Sequence, residues 1–214
     1  KKFNSLFFEF QYKYDLIVIF DDLLTIIICA MGRGTQEPLY FETIKKYSRA
    51  ELDIFCKLFG ELLIIYEKNI SAGDWCDPLG EYYECLAGNY KKSSFGQFFT
   101  PKVICDLMTG FIINPNEWGK TINEPTCGSG RMVLAANHKA KGNYYVCEDL
   151  DPICCKMTAI NLCLHGIRAE IHCHDALLRS NHRFSLAVNY EFWKHNIKCI
   201  LYYPPLKTAS NEPF

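Results

Sequence analysis

A chain of 214 residues and 24.7 kDa, 49% apolar and 22% charged, can bury one good core or one α/β domain with a helical extension. That composition excludes a disordered chain, and the length excludes two large domains. A net charge of −1 and a pI near 6.6 carry no bulk signature of nucleic-acid binding, so any such contact is expected to be local or supplied by a partner.

Twelve cysteines raise the question of a disulfide framework, yet Cys56, Cys105, Cys155 and Cys163 fall inside periodic apolar runs. Reduced, mostly buried thiols are expected. The sequence has no Cys-x-x-Cys pair, Cys154-Cys155 cannot splay as a ligand pair, and His172-Cys173-His174 alternates faces on a strand, so no metal centre is expected.

Residues 4–31 read as one long apolar helix ended by Gly32-Arg33-Gly34. Its segment from Leu16 to Ala30 follows Lys1-Lys2, as a targeting peptide would, but Asp21 and Asp22 interrupt it. It also falls short of the ~20 residues of a membrane span. A buried helix is the expectation, with cytoplasmic localisation and no membrane partner. A second helix begins at Ser48, where Ser48-Arg49-Ala50-Glu51 is a capping box, and runs to about Asn69. A third follows Asp77-Pro78, an N-cap and a first-turn proline, and stops at Gly88. After the polar link Lys91–Ser94, a fourth covers about Pro101 to Ile113 with Thr100 as its cap.

Beyond Asn114-Pro115-Asn116 the pattern alternates. Strands are expected near 120–123, 144–147, 169–173, 184–188 and 197–202, and helices near 130–140 and 152–165. Asp151-Pro152 starts the second of these helices and Gly166 ends it. This β-α-β-α-β order predicts a parallel, doubly wound sheet that binds ligands beyond the C-terminal strand ends.

Glu124-Pro125-Thr126-Cys127-Gly128-Ser129-Gly130 joins the first of these strands to the first helix. Such a turn can aim backbone N–H groups and a helix N-terminus at a small ligand. Glu124, Glu148 and Asp175 end three successive strands and are expected to face one crevice. Glu148 follows the glycine turn by close to the ~20 residues that separate a ribose-binding carboxylate from such a turn.

Three segments in order resemble the motifs of N6-adenine DNA methyltransferases: Gly96-Gln97-Phe98-Phe99-Thr100-Pro101, the turn from Glu124 to Gly130, and Tyr145-Val146-Cys147-Glu148-Asp149-Leu150-Asp151-Pro152. The likeness is to the modification subunits of type I restriction systems, and Asp77-Pro78-Leu79-Gly80-Glu81-Tyr82-Tyr83 is similar to the helical lead-in of that group. The resemblance implies a Rossmann-like S-adenosylmethionine-dependent methyltransferase sheet over residues 96–214, preceded by an all-helical region over 1–95. It implies S-adenosylmethionine as cofactor and DNA as partner, alongside a specificity subunit or a second copy.

By the same resemblance, Phe99, Thr100 and Pro101 would line the methionine end of the cofactor, and Glu124 with Gly128, Ser129 and Gly130 would hold its amino and carboxylate groups. Glu148 would bind the ribose hydroxyls, Asp149 and Leu150 would flank the adenine, and Asp175 would stand near it.

The family's Asp/Asn-Pro-Pro-Tyr/Phe motif has two candidates here. Asn189-Tyr190-Glu191-Phe192 follows the expected fourth strand and keeps the amide and the aromatic but neither proline; Tyr203-Pro204-Pro205-Leu206 keeps the prolines alone. Strand order favours Asn189 and Phe192 as the catalytic pair. Without the prolines the turn lacks its restriction on φ, which predicts weak or absent catalysis. Counted with the strand that leads into the glycine turn, the chain is expected to supply about five strands, whereas the resemblance implies more strands and usually a separate target-recognition region.

The leading expectation is therefore an adenine-N6 DNA methyltransferase of modification-subunit type. The alternative is a catalytically impaired cofactor-binding subunit with a regulatory or assembly role, and methyl transfer to a small molecule or protein is a third reading. Lys139, Lys141, Arg179, His182, Arg183, Lys194 and Lys198 are the basic or titratable side chains that DNA would meet, although as separate clusters they read equally as solvated faces.

Overall fold

The computed structural model describes residues 2–89, 99–191 and 199–205. The first expected helix is two helices. Helix α1 (Lys2–Phe7) passes through a 3-10 turn at Phe8–Phe10, and α2 (Leu16–Met31) starts anew. The break is caused by Asp15, whose extended backbone and carboxylate, accepting the Ile17 N–H at 2.7 Å, make it an N-cap in the middle of the apolar run. Helix α3 (Glu37–Ile44) has no counterpart in the sequence reading and buries no residue, which is why no apolar stripe announced it. Helix α4 (Arg49–Ser71) carries the expected capping box, with both Ser48–Glu51 bonds formed.

Helix α5 (Pro78–Asn89) is N-capped by Asp77, which accepts the Gly80 N–H at 2.8 Å. Helix α6 (Lys102–Ile112) is not capped by Thr100: its N-cap is Pro101, which has no side-chain group to accept the first-turn N–H donors.

Five strands follow: β1 (Thr121–Glu124), β2 (Tyr144–Asp149), β3 (Arg168–Asp175), β4 (Ser180–Val188) and β5 (Ile200–Tyr203). Helices α7 (Arg131–Lys139) and α8 (Pro152–Leu164) make the crossovers between the first three. The architecture is mixed α/β, a Rossmann-like β-α-β-α-β unit preceded by helices. The sheet is not doubly wound and parallel throughout as expected. Its order is β1-β2-β3-β4-β5, with β1, β2 and β3 parallel and β4 and β5 each antiparallel to the strand before.

The cause is the short link after β3. Parallel pairing needs a crossover of a dozen or more residues, whereas the link from Asp175 to Ser180 is long enough only for a hairpin, with Arg179 at φ 50° and Asn181 at φ 58°.

Side chains alternate in burial along β3, with Ala169, Ile171 and Cys173 covered and Glu170, His172 and His174 half-buried. The covered face packs on α8, which in turn packs on α2, so Phe7, Phe20 and Leu58 of the N-terminal helices share one hydrophobic core with Cys155, Ile171 and Ile200. The sequence-based boundary at residue 95 falls outside the described residues. None of the twelve cysteines forms a disulfide among the described residues.

Candidate cofactor-binding site

The turn after β1 folds tightly because two glycines adopt backbone conformations that L side chains resist: Gly128 at φ 55° and Gly130 at φ 90°. A Cβ on Gly128 would come within 3.0 Å of the Phe99 ring, and one on Gly130 within 3.2 Å of Thr158 Oγ1. The glycines therefore let Phe99 approach from one side and α8 from the other. Gly130 is the N-cap of α7 and no side chain caps that helix, so its first N–H groups and the positive end of its dipole are left for a ligand.

Above this N-terminus lies a cavity of about 300 Å³ lined by Phe99, Thr100, Gly128, Ser129, Arg131 and Asp149, with Thr126, Cys127, Met132 and Cys154 completing the wall. Phe99 is held between the Tyr83 ring, 6.0 Å away, and the Arg131 guanidinium, 5.3 Å from its centroid.

Five of the expected cofactor residues thus meet in one place: Phe99, Thr100, Gly128, Ser129 and Asp149. Asp149 faces inward but spends its carboxylate on the turn, accepting the Gly128 N–H at 2.9 Å and the Asp151 N–H at 2.9 Å. Burial pushes its pKa up, against those two N–H bonds.

The other expected residues stand outside the lining. Pro101 caps α6, and Gly130 sits beneath the turn. Glu124 folds back on Thr126, accepting its N–H at 3.3 Å. Glu148 turns to the half-buried sheet face, 3.5 Å from His174 Nε2, and Leu150 is exposed. Asp175 accepts the N–H groups of Leu177 and Leu178 at 3.0 and 2.9 Å, closing its own hairpin turn.

Asn189 is not brought to the crevice. Val188 pairs with Ala169 at the start of β3, so β4 delivers Asn189 to the end of the sheet away from the glycine turn. There it is fully buried at φ 54°, its amide donating to the carbonyls of Cys163 (3.1 Å) and Ile167 (2.9 Å) and its Oδ1 accepting the Cys199 N–H at 3.1 Å. This is the bonding of a structural amide, because the groups that would engage a substrate are already used.

Phe192, Leu206, and Gly96 to Phe98 lie outside the described residues, as do Lys194 and Lys198. The rival turn differs. Ser185 pairs with His172 and with Tyr203, so β5 runs towards the glycine-turn end and Tyr203-Pro204-Pro205 leaves the sheet there. Yet β5 is the far edge strand, four strand spacings or about 19 Å from β1 at ~4.8 Å per strand. Among the described residues, none of either candidate lines the cavity.

The sequence reading missed the side chains that hold the cavity in shape. Asp77, 2% exposed, accepts from Ser129 Oγ at 2.5 Å, Arg131 Nε at 2.6 Å and Asn161 Nδ2 at 2.7 Å besides capping α5. Arg131 reaches Glu84 Oε2 at 2.8 Å, and Glu84 accepts the Phe99 N–H at 3.2 Å. In the sequence Asp77 stood out as a helix cap and as the first residue of the segment similar to the family's helical lead-in; its capping role accounts for one of its two oxygens. Burial pushes the Asp77 carboxyl up, while Ser129, Arg131 and Gly80 pull it down.

Among known proteins, the family model for N-6 DNA Methylase matches residues 75–212. The chain belongs to this family. The matched span begins at Trp75, so it takes in Asp77 and α5 as well as the sheet. The methylase subunit of the type I restriction enzyme MjaVII from Methanocaldococcus jannaschii is 27% identical over 118 residues, which is 51% of this chain and 20% of that protein. The crystal structure of a type I restriction-modification system methyltransferase subunit from Streptococcus thermophilus is similar at 17% identity over 77% of this chain and 50% of that one, with a TM-score of 0.33. The chain therefore spans about a fifth of the first relative and half of the second.

Proposed function

We propose that this chain binds S-adenosylmethionine in the cavity above α7, as the cofactor-holding part of an adenine-N6 DNA methyltransferase of modification-subunit type. The observation that carries the reading is the uncapped N-terminus of α7 opening on a cavity whose walls are Phe99-Thr100 and the glycine turn. The residues suit the group. Helix N–H donors and a guanidinium suit an amino-acid carboxylate, carboxylates suit its ammonium, and a cavity of about 300 Å³ is at the lower bound for small-ligand sites.

When bound, the cofactor supplies an electrophilic methyl group. The chain's own part is to bind and orient. Phe99 packs on the ligand and is fixed by Arg131 and Tyr83; Gly128 permits that approach; Asp149 holds the turn through the Gly128 N–H. DNA is the proposed substrate, with the target adenine turned out of the duplex to reach the crevice, and a specificity subunit or a second copy is the proposed partner.

A second reading, a cofactor-binding subunit with a regulatory or assembly role and little turnover, is favoured by one observation. Asn189 is spent at the wrong end of the sheet, and Tyr203 stands at the far edge with a phenol where the family motif has Asp or Asn.

Calorimetric titration with S-adenosylhomocysteine, followed by a labelled methyl-transfer assay on mixed-sequence DNA, tests both. Binding with transfer supports the first reading, binding without transfer even beside a specificity subunit supports the second, and absence of binding at millimolar ligand removes both.

A further inference from the structure

The N-terminal helical region does more than cover the sheet. Asp77, at the entry to α5, lies 52 residues from Ser129 and 84 from Asn161 in sequence, yet binds both. Its two oxygens take four donors: the Gly80 N–H and the Asn161 amide on Oδ1, and the Ser129 hydroxyl and Arg131 Nε on Oδ2. Asn161 also donates to the Ser129 carbonyl at 2.7 Å, and its Oδ1 accepts the Tyr66 hydroxyl of α4. About two turns further along α5, Glu84 joins Arg131 to the Phe99 N–H. The two walls of the cavity, the glycine turn and the Phe99-Thr100 segment, are thus tied to one helix through two carboxylates and one guanidinium.

We propose that Asp77 is the positioning residue for the amino-acid end of the ligand, setting Ser129 and Arg131 at the mouth of α7 so that its N–H groups and the guanidinium converge on a carboxylate. The inference rests on the cofactor reading above and deepens it.

Three features support it. Among the described residues Oδ2 bonds only to groups of the glycine turn and the first residue of α7, so its loss acts there first. Gly80 is required by the same geometry, since a Cβ on it would lie 2.0 Å from Asp77 Oδ2 and 2.6 Å from Ser129 Oγ. Arg131, 8% exposed and lining the cavity, is held by Asp77 and Glu84 and donates from Nη1 to the Thr100 carbonyl at 3.4 Å, with its guanidinium carbon 5.3 Å from the Phe99 centroid; the one further N–H on each Nη is thereby fixed in place without further ordering cost.

The test uses two ligands that differ at the amino-acid end alone. S-Adenosylhomocysteine carries the amino and carboxylate groups; 5′-methylthioadenosine has the same nucleoside and sulfur without them. Asp77→Asn and Ser129→Ala are titrated with both, with Tyr47→Phe, in the link between α3 and α4, as the control for general loosening. Asp77→Asn is expected to weaken S-adenosylhomocysteine by about tenfold to a hundredfold, the range for hydrogen bonds to a charged group, and to leave methylthioadenosine within about twofold.

Ser129→Ala keeps the ion pair and serves where Asp77→Asn does not fold; it is expected to give the same selective loss in smaller measure. An equal loss for both ligands, as general destabilisation produces, or no loss for either, overturns the inference while leaving the cofactor reading intact. Failure of the unmodified chain to bind either ligand instead overturns the cofactor reading itself.

Discussion

The two ends of the sheet are built from different chemistry. Where the parallel strands begin, the buried polar side chains are neutral amides: Asn143, which accepts the Lys120 N–H at 3.0 Å and donates to the Ala140 carbonyl, and Asn189 with the carbonyls of Leu162, Cys163 and Ile167 and the Cys199 N–H. Where the strands finish, the side chains are carboxylates: Glu124, Glu148, Asp149 and Asp175, with Asp77 beneath them. A buried amide can be satisfied completely by backbone groups and then has nothing left to offer a substrate. A carboxylate held by N–H donors keeps a charge, and its environment responds to pH and to ligands. The closed end holds the fold together, and the open end carries the site.

The largest expected effect is at the closed end. Asn189→Ala removes an amide that joins β4, the α8 exit and Cys199, and forces alanine to φ 54°. The expected cost is about 2–4 kcal/mol of stability by denaturant unfolding, with the affinity for S-adenosylhomocysteine unchanged in the fraction that remains folded. Restoring the family's prolines at Tyr190 and Glu191 is expected to give no gain in methyl transfer, because that turn lies at the wrong end. A weakened ligand affinity in Asn189→Ala, or transfer gained through the prolines, would break the division between the ends.

A smaller, opposite effect is expected at the glycine turn. Gly128→Ala places a Cβ about 3.0 Å from the Phe99 ring at a φ of 55°. Ligand affinity is expected to fall roughly tenfold while stability falls by only about 1–2 kcal/mol, the cost of a left-handed alanine. Calorimetry paired with thermal unfolding separates the two quantities, and a loss of stability without a loss of affinity would remove Phe99 from the ligand's path.

How much of this was legible in the sequence depended on the range of the interaction. The capping box at Ser48–Glu51, the Asp151 cap that accepts the Ile153 N–H at 2.8 Å, and the strand-turn-helix around Gly128 are local, and spacing alone exposes them. The five strands were legible from alternation, but their direction was not, since periodicity is the same for parallel and antiparallel pairing. That one ambiguity sent Asn189 to the crevice. Asp15 was hidden within an apolar run, and α3, which buries nothing, left no periodic trace. Asp77 looked like an ordinary helix cap because its other partners lie 52 to 84 residues away.

The smallest effect sharpens the comparison through pH. Burial raises the Asp149 pKa above its ordinary value, so the folded protein binds that proton more tightly than the unfolded chain does. Stability from this group is then fully present below the ordinary carboxylate value of about 3.9 and is lost as pH rises through the folded value, beyond which it is constant.

Asp149→Asn does not titrate. The stability of the variant relative to the parent is therefore expected to climb with pH across that window and then level off, on top of a constant loss because one amide oxygen must serve the Gly128 and Asp151 N–H groups. Asn189→Ala, with no titrating group exchanged, is expected to shift the parent curve by the same amount at every pH. Urea titrations at half-unit steps from pH 3 upwards distinguish the two shapes. A flat difference for Asp149→Asn would mean that water reaches the carboxylate at the turn, and the open end would then differ from the closed end in charge but not in burial.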